Sequence, residues 1–210
     1  MKHLNRAGLK NTDNMEHNFK TVIEGKHIQL RKVDLADAAD IYKWRSGVAG
    51  KFLRQPANYS VKSQEAWIQS RGSNEINYII VDRFTGQKVG FIAIYDVNHA
   101  DQVANVGRLL LDDVYLSKSS PYGLEAMLLM YDYVFNVMHF RKITGDILAI
   151  NESMVKLQKY LGMKQEGYLG KHVLINGNFE DLHIMSIFAD AFNNGYKKKI
   201  NFLLMNFKQS

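Results

Sequence analysis

The 210-residue sequence contains no cysteine. This absence excludes three classes of chemistry at once: a disulfide framework, a thiol nucleophile and a thiolate metal site. No uninterrupted apolar run is long enough to cross a bilayer, and the first residues lack the apolar core of a secretory signal. We therefore expect a cytoplasmic protein without a membrane span.

The sequence also lacks the clusters expected of a metal site or a nucleic-acid surface. Its histidines form no His-x-x-x-His pair, and the Glu24/His27 and Glu180/His183 spacings fall on strand-like segments, where residues three apart face opposite sides. The net charge is +6, but the basic residues are scattered except at 197–199. We expect no metal and no nucleic-acid partner. Either a solvated basic surface or a general attraction for anionic small molecules such as nucleotides explains the charge.

The length predicts one domain with a single core. Residues 1–24 are polar and aperiodic, and we predict a mobile arm outside the core. Residues 25–190 are predicted to form the folded domain. Residues 191–210 read as a C-terminal extension of the same domain, of uncertain type.

The periodicity of apolar residues predicts an α/β protein. Its expected elements are a strand at 27–31, helices at 35–44 and 60–71, strands at 78–81, 88–95 and 103–115, a helix at 121–138, a strand at 143–147, a helix starting at Asn151 or Ser153 and ending near Gly162, and a hairpin of 168–175 with 180–188. Asn176-Gly177 between the last two strands is a strong hairpin signal. This order predicts one mixed sheet with helices on both faces.

The loop Lys118-Ser-Ser-Pro-Tyr-Gly123 joins an apolar strand to a long apolar-faced helix. Helix N-termini leave unpaired N–H groups and carry the positive end of the helix dipole, so small residues there suit a pyrophosphate. Ser119 and Ser120 can cap the helix, Pro121 fits its first turn, and Gly123 allows close approach to the main chain. An ordinary helix cap is the alternative interpretation.

Two motifs in the sequence resemble those of a known enzyme family. One is Lys118-x-x-Pro121-x-Gly123 followed by Glu125-Ala126, and the other is the stretch 143–167, with a strand, Asn151, a helix and a Leu161-Gly162-Met163 ending. In this order they resemble the GNAT superfamily of acyl-CoA-dependent N-acyltransferases, over roughly residues 26–189. The family signature is Gln/Arg-x-x-Gly-x-Gly/Ala, so Lys118 and Pro121 depart from it, and Pro121 supplies no N–H donor.

The resemblance implies a GNAT-like fold: a single mixed, mostly antiparallel sheet with splayed central strands and helices on both faces. It implies acetyl-CoA or another short acyl-CoA as co-substrate, with no metal. In the family, the signature amides bind the CoA pyrophosphate, and the preceding strand exposes main-chain groups to the pantetheine arm. The positions implied for CoA binding are Leu109, Leu110, Leu111, Lys118, Ser119, Ser120, Tyr122, Gly123, Leu124 and Asn151. Core packing for the leucines and helix capping for Asn151 are the alternatives.

The acid that protonates the departing CoA thiolate is a tyrosine in many relatives. Aligned on Asn151 and Gly162, that position is Gln158, whose amide is not a useful proton donor. Tyr160 is two residues away and should face elsewhere on the helix. The resemblance therefore predicts that the usual acid is missing and that water, or no acid, suffices.

Asp146 occupies the strand position where relatives of the pseudaminic-acid type carry glutamate, so it is a candidate general base; a solvated strand-end acid is the alternative. His183 lies in an apolar strand and is a second candidate base or substrate ligand, or else a satisfied core histidine. The Trp44-Arg45 pair resembles a Trp-Arg-Asn motif ahead of the acceptor-site helix in many relatives. With Tyr95, these two residues are the predicted substrate-binding residues.

The combined pattern resembles the branch that acylates nucleotide-linked amino sugars, nearest to the pseudaminic-acid type. It implies transfer of an acetyl or other short acyl group to a dTDP- or UDP-linked aminodideoxysugar, by an enzyme that can form a homodimer. Two alternatives stay open. The missing tyrosine and basic charge favour a Rim-type protein N-terminal acetyltransferase, and the altered signature favours a non-catalytic acyl-CoA-binding module.

Overall fold

One mixed sheet of eight strands organises the computed structural model, which describes residues 19–54, 58–117 and 120–207. The strands are β1 (Val22–Glu24), β2 (Ile28–Lys32), β3 (Ile76–Asp82), β4 (Lys88–Asn98), β5 (Val103–Leu111), β6 (Lys142–Leu148), β7 (Lys164–Ile175) and β8 (Asn178–Phe188). They lie in the order β1-β2-β3-β4-β5-β6-β8-β7. Only β5 and β6 pair in parallel; the other described neighbours are antiparallel. The predicted fold class is confirmed.

Helices cover both faces of this sheet. They are α1 (Ala38–Ser46), α2 (Val61–Gln69), α3 (Asp113–Ser117), α4 (Tyr122–Asp132), α5 (Glu152–Leu161), α6 (Ala189–Ala191) and α7 (Lys197–Met205). Leu35–Asp37 and Val48–Phe52 form 3₁₀ turns. A π-helical turn at Tyr133–Val137 extends α4, and another at Phe192–Tyr196 joins α6 to α7. Within the described ranges, none of these helices has both the length and the apolarity to cross a membrane.

Local side-chain chemistry sets several of these boundaries. Ser60 caps α2, and Ser60 and Ser63 form a reciprocal capping box. Asn151 caps α5 by accepting a hydrogen bond from the Met154 N–H at 3.4 Å. The helix ends at Gly162, whose φ of 122° lies in a region that favours glycine. These contacts explain why α5 begins and ends as predicted.

The strand predicted for residues 103–115 is shorter than expected. It ends at Leu111 because the Asp112 carboxylate turns the chain: it accepts the Val114 N–H at 3.1 Å and the Trp44 Nε1–H at 3.2 Å. Such local side-chain bonds compete with a continuing strand ladder. The short helix α3 follows at once.

The N-terminal boundary needs a correction. The structure places β1 inside the segment assigned to the arm, with Val22 opposite Arg31 of β2. Lys20 is also fastened, since its N–H donates to the Tyr133 hydroxyl at 2.9 Å and its carbonyl accepts the Tyr78 hydroxyl at 2.8 Å. A three-residue edge strand is too short to show alternation, so the pattern did not reveal it. Residues 1–18 lie outside the described part of the chain.

The C-terminal extension is helical from Ala189 to Met205. Phe192, Tyr196 and Ile200 recur every four residues and are each 0% exposed. They pack in the same core as α4, where the Tyr131 and Tyr196 rings lie 4.9 Å apart. The extension is therefore part of the domain core; residues 208–210 lie outside the description.

Alternating strand residues divide the core between the two faces. The larger cluster packs α4 and the C-terminal helix on one face and includes Ile80, Ile92 and Tyr131. The smaller cluster packs α1 and α2 on the other face and includes Ile79 and Phe91. We call these the α4 face and the α1 face.

A buried carboxylate connects the start of α4 to the sheet. Glu125 is 3% exposed and accepts the His27 N–H at 3.0 Å as well as the Lys26 N–H. Its other oxygen lies 2.7 Å from His27 Nδ1. These bonds fasten the first turn of α4 beside the beginning of β2.

Replacing Glu125 by glutamine should destabilise the fold. The amide keeps the shape, but it loses the charge that strengthens these bonds and turns an N–H donor toward groups that need an acceptor. We expect the free energy of unfolding to fall by roughly 1.5–3 kcal/mol, measured by urea denaturation. Glu152→Gln, in an exposed pair with Lys156, is the matched control and should leave stability unchanged. Equal stability of the two variants would contradict the role of Glu125 in holding α4 beside β2.

Candidate active site

The candidate site lies where the sheet opens between β5 and β6. Their parallel pairing covers only Val103–Asn105 against Lys142–Thr144. Beyond these residues the strands diverge, and a cavity of about 510 Å³ lies at the opening. Because the opening passes through the sheet, side chains from both faces line one cavity.

An irregularity in β5 shapes the cavity wall. The register with β4 shifts between Phe91 and Ala93, and Arg108 has a φ of +54°. A Cβ added to Gly107 would lie 3.1 Å from the Tyr95 hydroxyl, so glycine leaves room for that ring. An isolated glycine inside a strand pattern is a known signal of a bulge, so Gly107 could have predicted this irregularity from the sequence.

Tyr95 lines the cavity, as its predicted role in substrate binding requires. The Arg108 guanidinium carbon lies 4.2 Å from the Tyr95 ring centroid, and Arg108 Nη1 donates to Glu75 Oε1 at 3.2 Å. This stacking and ion pair hold the ring in place. Burial raises the pKa of Tyr95 to about 12, so its hydroxyl stays protonated at neutral pH.

Asp146 also lines the cavity, on an exposed part of its wall. Partial desolvation, followed by the nearby negative charge of Asp96, raises the pKa of Asp146, and His172 acts in the opposite direction. A carboxylate with a raised pKa is a better proton acceptor than a fully solvated one. Its position therefore suits a general base.

His183, the other predicted catalytic residue, does not reach the cavity. It pairs with Ile147 on β6, whereas Asp146 pairs with Ile184. Adjacent strand residues face opposite sides, so His183 and Asp146 lie on opposite faces of the sheet. His183 Nδ1 is 2.9 Å from Gln165 Oε1, and its ring packs against Tyr168. Its surroundings are those of a structural histidine.

The three leucines predicted to bind CoA do not all face the cavity, because neighbouring residues of a strand point to opposite faces. Leu109 and Leu111 line the cavity. Leu110 is buried in the α1-face cluster beside Trp44 and Phe91, so its side chain points away from the opening. The main chain of this stretch diverges from β6 past Asn105, which leaves its edge accessible from the cavity.

The helix start predicted to hold the pyrophosphate lies next to Leu109 and Leu111. Lys118 and Ser119 fall outside the described residues. Ser120 does not cap the helix; its hydroxyl donates to the Tyr115 carbonyl at 3.1 Å, and the capping position belongs to Pro121. Tyr122 donates to Asp82 Oδ2 at 2.5 Å, which orients the first turn.

Gly123 lies on the side of α4 that faces β5. A Cβ at this position would lie 3.4 Å from Leu111 Cδ1 and 3.6 Å from Leu109 Cδ2. Both distances are ordinary van der Waals contacts, so packing on the strand does not by itself require glycine, and the predicted CoA contact stays a prediction. The amides of Tyr122, Gly123 and Leu124 precede Glu125, whose N–H makes the helical bond to the Pro121 carbonyl at 2.9 Å.

Of Asn151, Gln158 and Tyr160, on α5 and its N-cap, two reach the cavity. Asn151 and Gln158 line it, whereas Tyr160 is 54% exposed, with its ring against Lys199. Gln158 Nε2 contacts Met127 Sδ at 3.3 Å. The helix therefore presents Gln158, and not a tyrosine, at the cavity.

Trp44 and Arg45 lie away from the described cavity wall, contrary to their predicted roles in substrate binding. Trp44 is 3% exposed and donates from Nε1 to Asp112, so it belongs to the core. The Arg45 guanidinium donates to the Arg54 carbonyl at 2.7 Å, lies 5.6 Å from the Tyr59 ring centroid, and has its pKa lowered by burial. The Arg45 bond to Arg54 spans the Val48–Phe52 turn.

The residues present fit an acyl-CoA. The diverging edge of β5 offers main-chain groups to an amide-containing arm, and the start of α4 offers N–H groups to phosphates. Among the described residues, no group of three or more histidine, aspartate or glutamate side chains could hold a metal ion. The predicted set lacked Phe52, Arg108 and Tyr131, which also line the cavity.

A parallel strand pair that splays at mid-sheet, beside a helix start and a cavity, defines an acyl-CoA-dependent acyltransferase architecture. The family described as "Acetyltransferase (GNAT) domain" matches residues 27–164. The chain belongs to the GNAT acetyltransferase family, whose members use acetyl-CoA, and it is an acyl-CoA-dependent N-acyltransferase.

Individual relatives agree with this assignment. "Probable N-acetyltransferase YjcK" of Bacillus subtilis (strain 168) is 25% identical over 177 residues, covering 79% of this chain and 96% of the relative. A GCN5-related N-acetyltransferase from Brucella melitensis has a TM-score of 0.75 at 19% identity, covering 90% of this chain and 88% of that one. Mutant forms of the spermidine/spermine N-acetyltransferase SpeG from Vibrio cholerae give 0.69 at 18% identity, covering 80% and 97%. These solved structures share the fold.

Tyr160→Phe should leave turnover nearly unchanged, because this side chain is exposed on α5 and Gln158 occupies the cavity-facing position. Steady-state thiol release with acetyl-CoA and a working amine measures the effect. A loss of roughly a hundredfold in the chemical step would show instead that Tyr160 is the general acid.

Proposed function

We propose that the protein transfers an acetyl group from acetyl-CoA to the amino group of a nucleotide-linked aminodideoxysugar. The observation that carries this proposal is the charge distribution of one cavity, whose wall contains the carboxylate of Asp146 and the cationic side chains of Lys51 and Arg108. An amino sugar joined to a pyrophosphate needs both kinds of partner: a carboxylate for its amine and cations for its phosphates.

Asp146 is the proposed general base. An amino sugar arrives as an ammonium ion, and its nitrogen becomes nucleophilic only after losing a proton. The carboxylate lies at the opening between the strands and accepts that proton directly or through one water. Because the pKa of Asp146 is raised, it accepts the proton more readily than an ordinary surface aspartate.

Tyr95 is the proposed positioning residue for the acceptor. Its protonated hydroxyl lies over Gly107, and stacking on Arg108 restrains the ring. From there it can donate a hydrogen bond to a sugar hydroxyl placed between β5 and β6. Holding the amine in one orientation toward the reacting carbonyl lowers the entropic part of the barrier.

The proposed nucleotide contacts lie on the α1 face of the cavity. Lys51 forms no ion pair with any described carboxylate, and its ammonium lies 4.8 Å from the Phe52 ring centroid. Arg108 adds a second cation, although Glu75 partly neutralises it. A pyrophosphate beside Lys51 would leave the sugar between the nucleotide and Asp146.

The proposed contacts to acetyl-CoA lie on β5 and on the first turn of α4. Bound acetyl-CoA supplies an activated thioester. The edge of β5 binds its amide-containing arm, the first turn of α4 binds its phosphates, and Asn151 lines the passage between them. Leu109, Leu111 and Met127 exclude water from this passage.

One observation favours a second acceptor class. Asp96 lies close enough to Asp146 to raise its pKa, and two neighbouring carboxylates suit a polycation. A polyamine is therefore the competing acceptor. It would use both carboxylates and would gain nothing from Lys51.

A thiol-release screen with acetyl-CoA separates these acceptors. The panel contains dTDP- and UDP-linked aminodideoxysugars, the same amino sugars without nucleotide, spermidine and short peptides. We expect the nucleotide-linked sugars to be preferred, and Lys51→Ala to raise their KM about tenfold while leaving the free amino sugar unaffected. Preference for spermidine or for a peptide N-terminus would reject the proposed substrate class.

Asp146→Asn should lower turnover about a hundredfold, because it removes the proton acceptor while keeping the shape. In the wild type, activity should fall as the pH drops through the raised pKa of Asp146, since protonation removes the base. That acidic limb should be absent from the variant. Turnover measured against pH gives the comparison, with acetyl-CoA affinity checked by calorimetry.

His183→Gln is the matched control for Asp146→Asn. Its histidine lies outside the described cavity wall, so we expect a loss of stability without a matching loss of rate. An unchanged profile for Asp146→Asn, together with a collapsed rate in a folded His183→Gln protein, would transfer the role of base to His183.

A further inference from the structure

The departing sulfur leaves as an anion, and α5 offers it only a weak hydrogen-bond donor. Gln158 occupies the cavity-facing position of this helix, and its amide contacts the thioethers of Met127 and Met154 at 3.3 and 3.7 Å. A carboxamide N–H is a weaker donor than a phenol O–H. A stronger donor for the sulfur must therefore come from water or from another element.

Tyr131 of α4 lines the same cavity beside Gln158 and is 2% exposed. Its hydroxyl donates to Met163 Sδ at 3.5 Å. A thioether is a weak acceptor, so the proton of this buried O–H is only weakly held by Met163. A thiolate in the cavity would be a far stronger acceptor.

The surroundings of Tyr131 keep the proton on its oxygen. Burial raises the pKa of Tyr131, whereas hydrogen bonding with Tyr196 and Gln158 partly offsets this effect. Tyr196 donates to Gln158 Oε1 at 3.1 Å and stacks 4.9 Å from the Tyr131 ring. The other titratable group with a resolved influence is Tyr95 of β4. No described carboxylate or cation enters this electrostatic balance.

We propose that Tyr131 donates a hydrogen bond to the leaving sulfur, so that α4 supplies the donor that α5 lacks. As the C–N bond forms and the C–S bond breaks, the electron pair goes to sulfur, and the Tyr131 O–H stabilises the resulting thiolate. Tyr131 keeps its proton, because its raised pKa makes it a weaker acid than the thiol. The amine nitrogen loses one proton to its base, and the thiolate takes one from solvent, so one proton passes in total from nitrogen to sulfur. This role rests on acyl transfer from acyl-CoA and not on the identity of the acceptor.

Titrating the thiol of CoA bound to the protein tests the proposal without any acceptor. The ultraviolet absorbance of the thiolate reports its ionisation. A tyrosine that donates to the thiolate stabilises it, so Tyr131→Phe should raise the thiol pKa by about one unit, a tenfold change in ionisation. Single-turnover acetyl transfer to a working amine should fall about a hundredfold while acetyl-CoA affinity stays within about twofold.

Tyr133→Phe is the matched control, because it removes a buried tyrosine hydroxyl from the helical extension of α4 outside the described cavity wall. It should cost stability and leave the thiol pKa unchanged. The double variant Tyr131→Phe/Gln158→Tyr moves a tyrosine to α5 and should recover much of the lost rate. An unchanged thiol pKa in folded Tyr131→Phe, with a rate within about threefold of wild type, would overturn the proposal.

A measurement on the wild type decides the question if Tyr131→Phe does not fold. Isotope-labelled tyrosine allows the Tyr131 ring signal to be followed by NMR while CoA or desulfo-CoA, which lacks the sulfur, is added. We expect CoA to shift this signal and desulfo-CoA to leave it nearly unmoved. Equal shifts with both ligands would show that Tyr131 does not contact the sulfur.

Discussion

The parallel ladder between β5 and β6 ends after three residue pairs, and the site depends on this early ending. A continued ladder would bind the edge of β5 to β6 and close the cavity. The bulge at Arg108 bends the same strand, and Gly107 leaves room above it for Tyr95. In the proposed arrangement, the opening lets an acceptor enter from the α1 face while an acyl donor lies along β5. One interruption in pairing thus creates a two-sided site.

Much of the fold was predictable, because apolar periodicity depends on which residues face the core. It identified the long helices, the antiparallel strands and the Asn176-Gly177 hairpin, whereas the three-residue β1 carries too few residues to show alternation. The site was less predictable. Tyr95 and Asp146 reach the cavity, but His183 lies on the other face, and Trp44 is held by Asp112. The spacing of apolar residues predicts on which face of the sheet a side chain lies, but it does not predict where two strands separate.

Tyr131 lines the cavity, but nothing in its sequence pattern distinguishes it from a core residue. In sequence it is one more apolar-face residue at three- and four-residue spacing along α4, so its pattern equals that of a core position. Only the packing of α4 against α5 and the C-terminal helix brings it beside Gln158 and Tyr196. The C-terminal helix, whose type the sequence left uncertain, thereby supplies a hydroxyl to the wall behind the site.

The buried carboxylate of Glu125 has a consequence for ligand binding. A negative charge in the first turn of a helix normally weakens any anion site at that end. Here two main-chain N–H groups and His27 surround the charge, on the side of the turn that faces the sheet. The outward amides keep their partial positive charge, and the turn is held rigid before a ligand arrives. Its conformational entropy is lost during folding, so a phosphate group bound there as proposed would meet a preorganised surface.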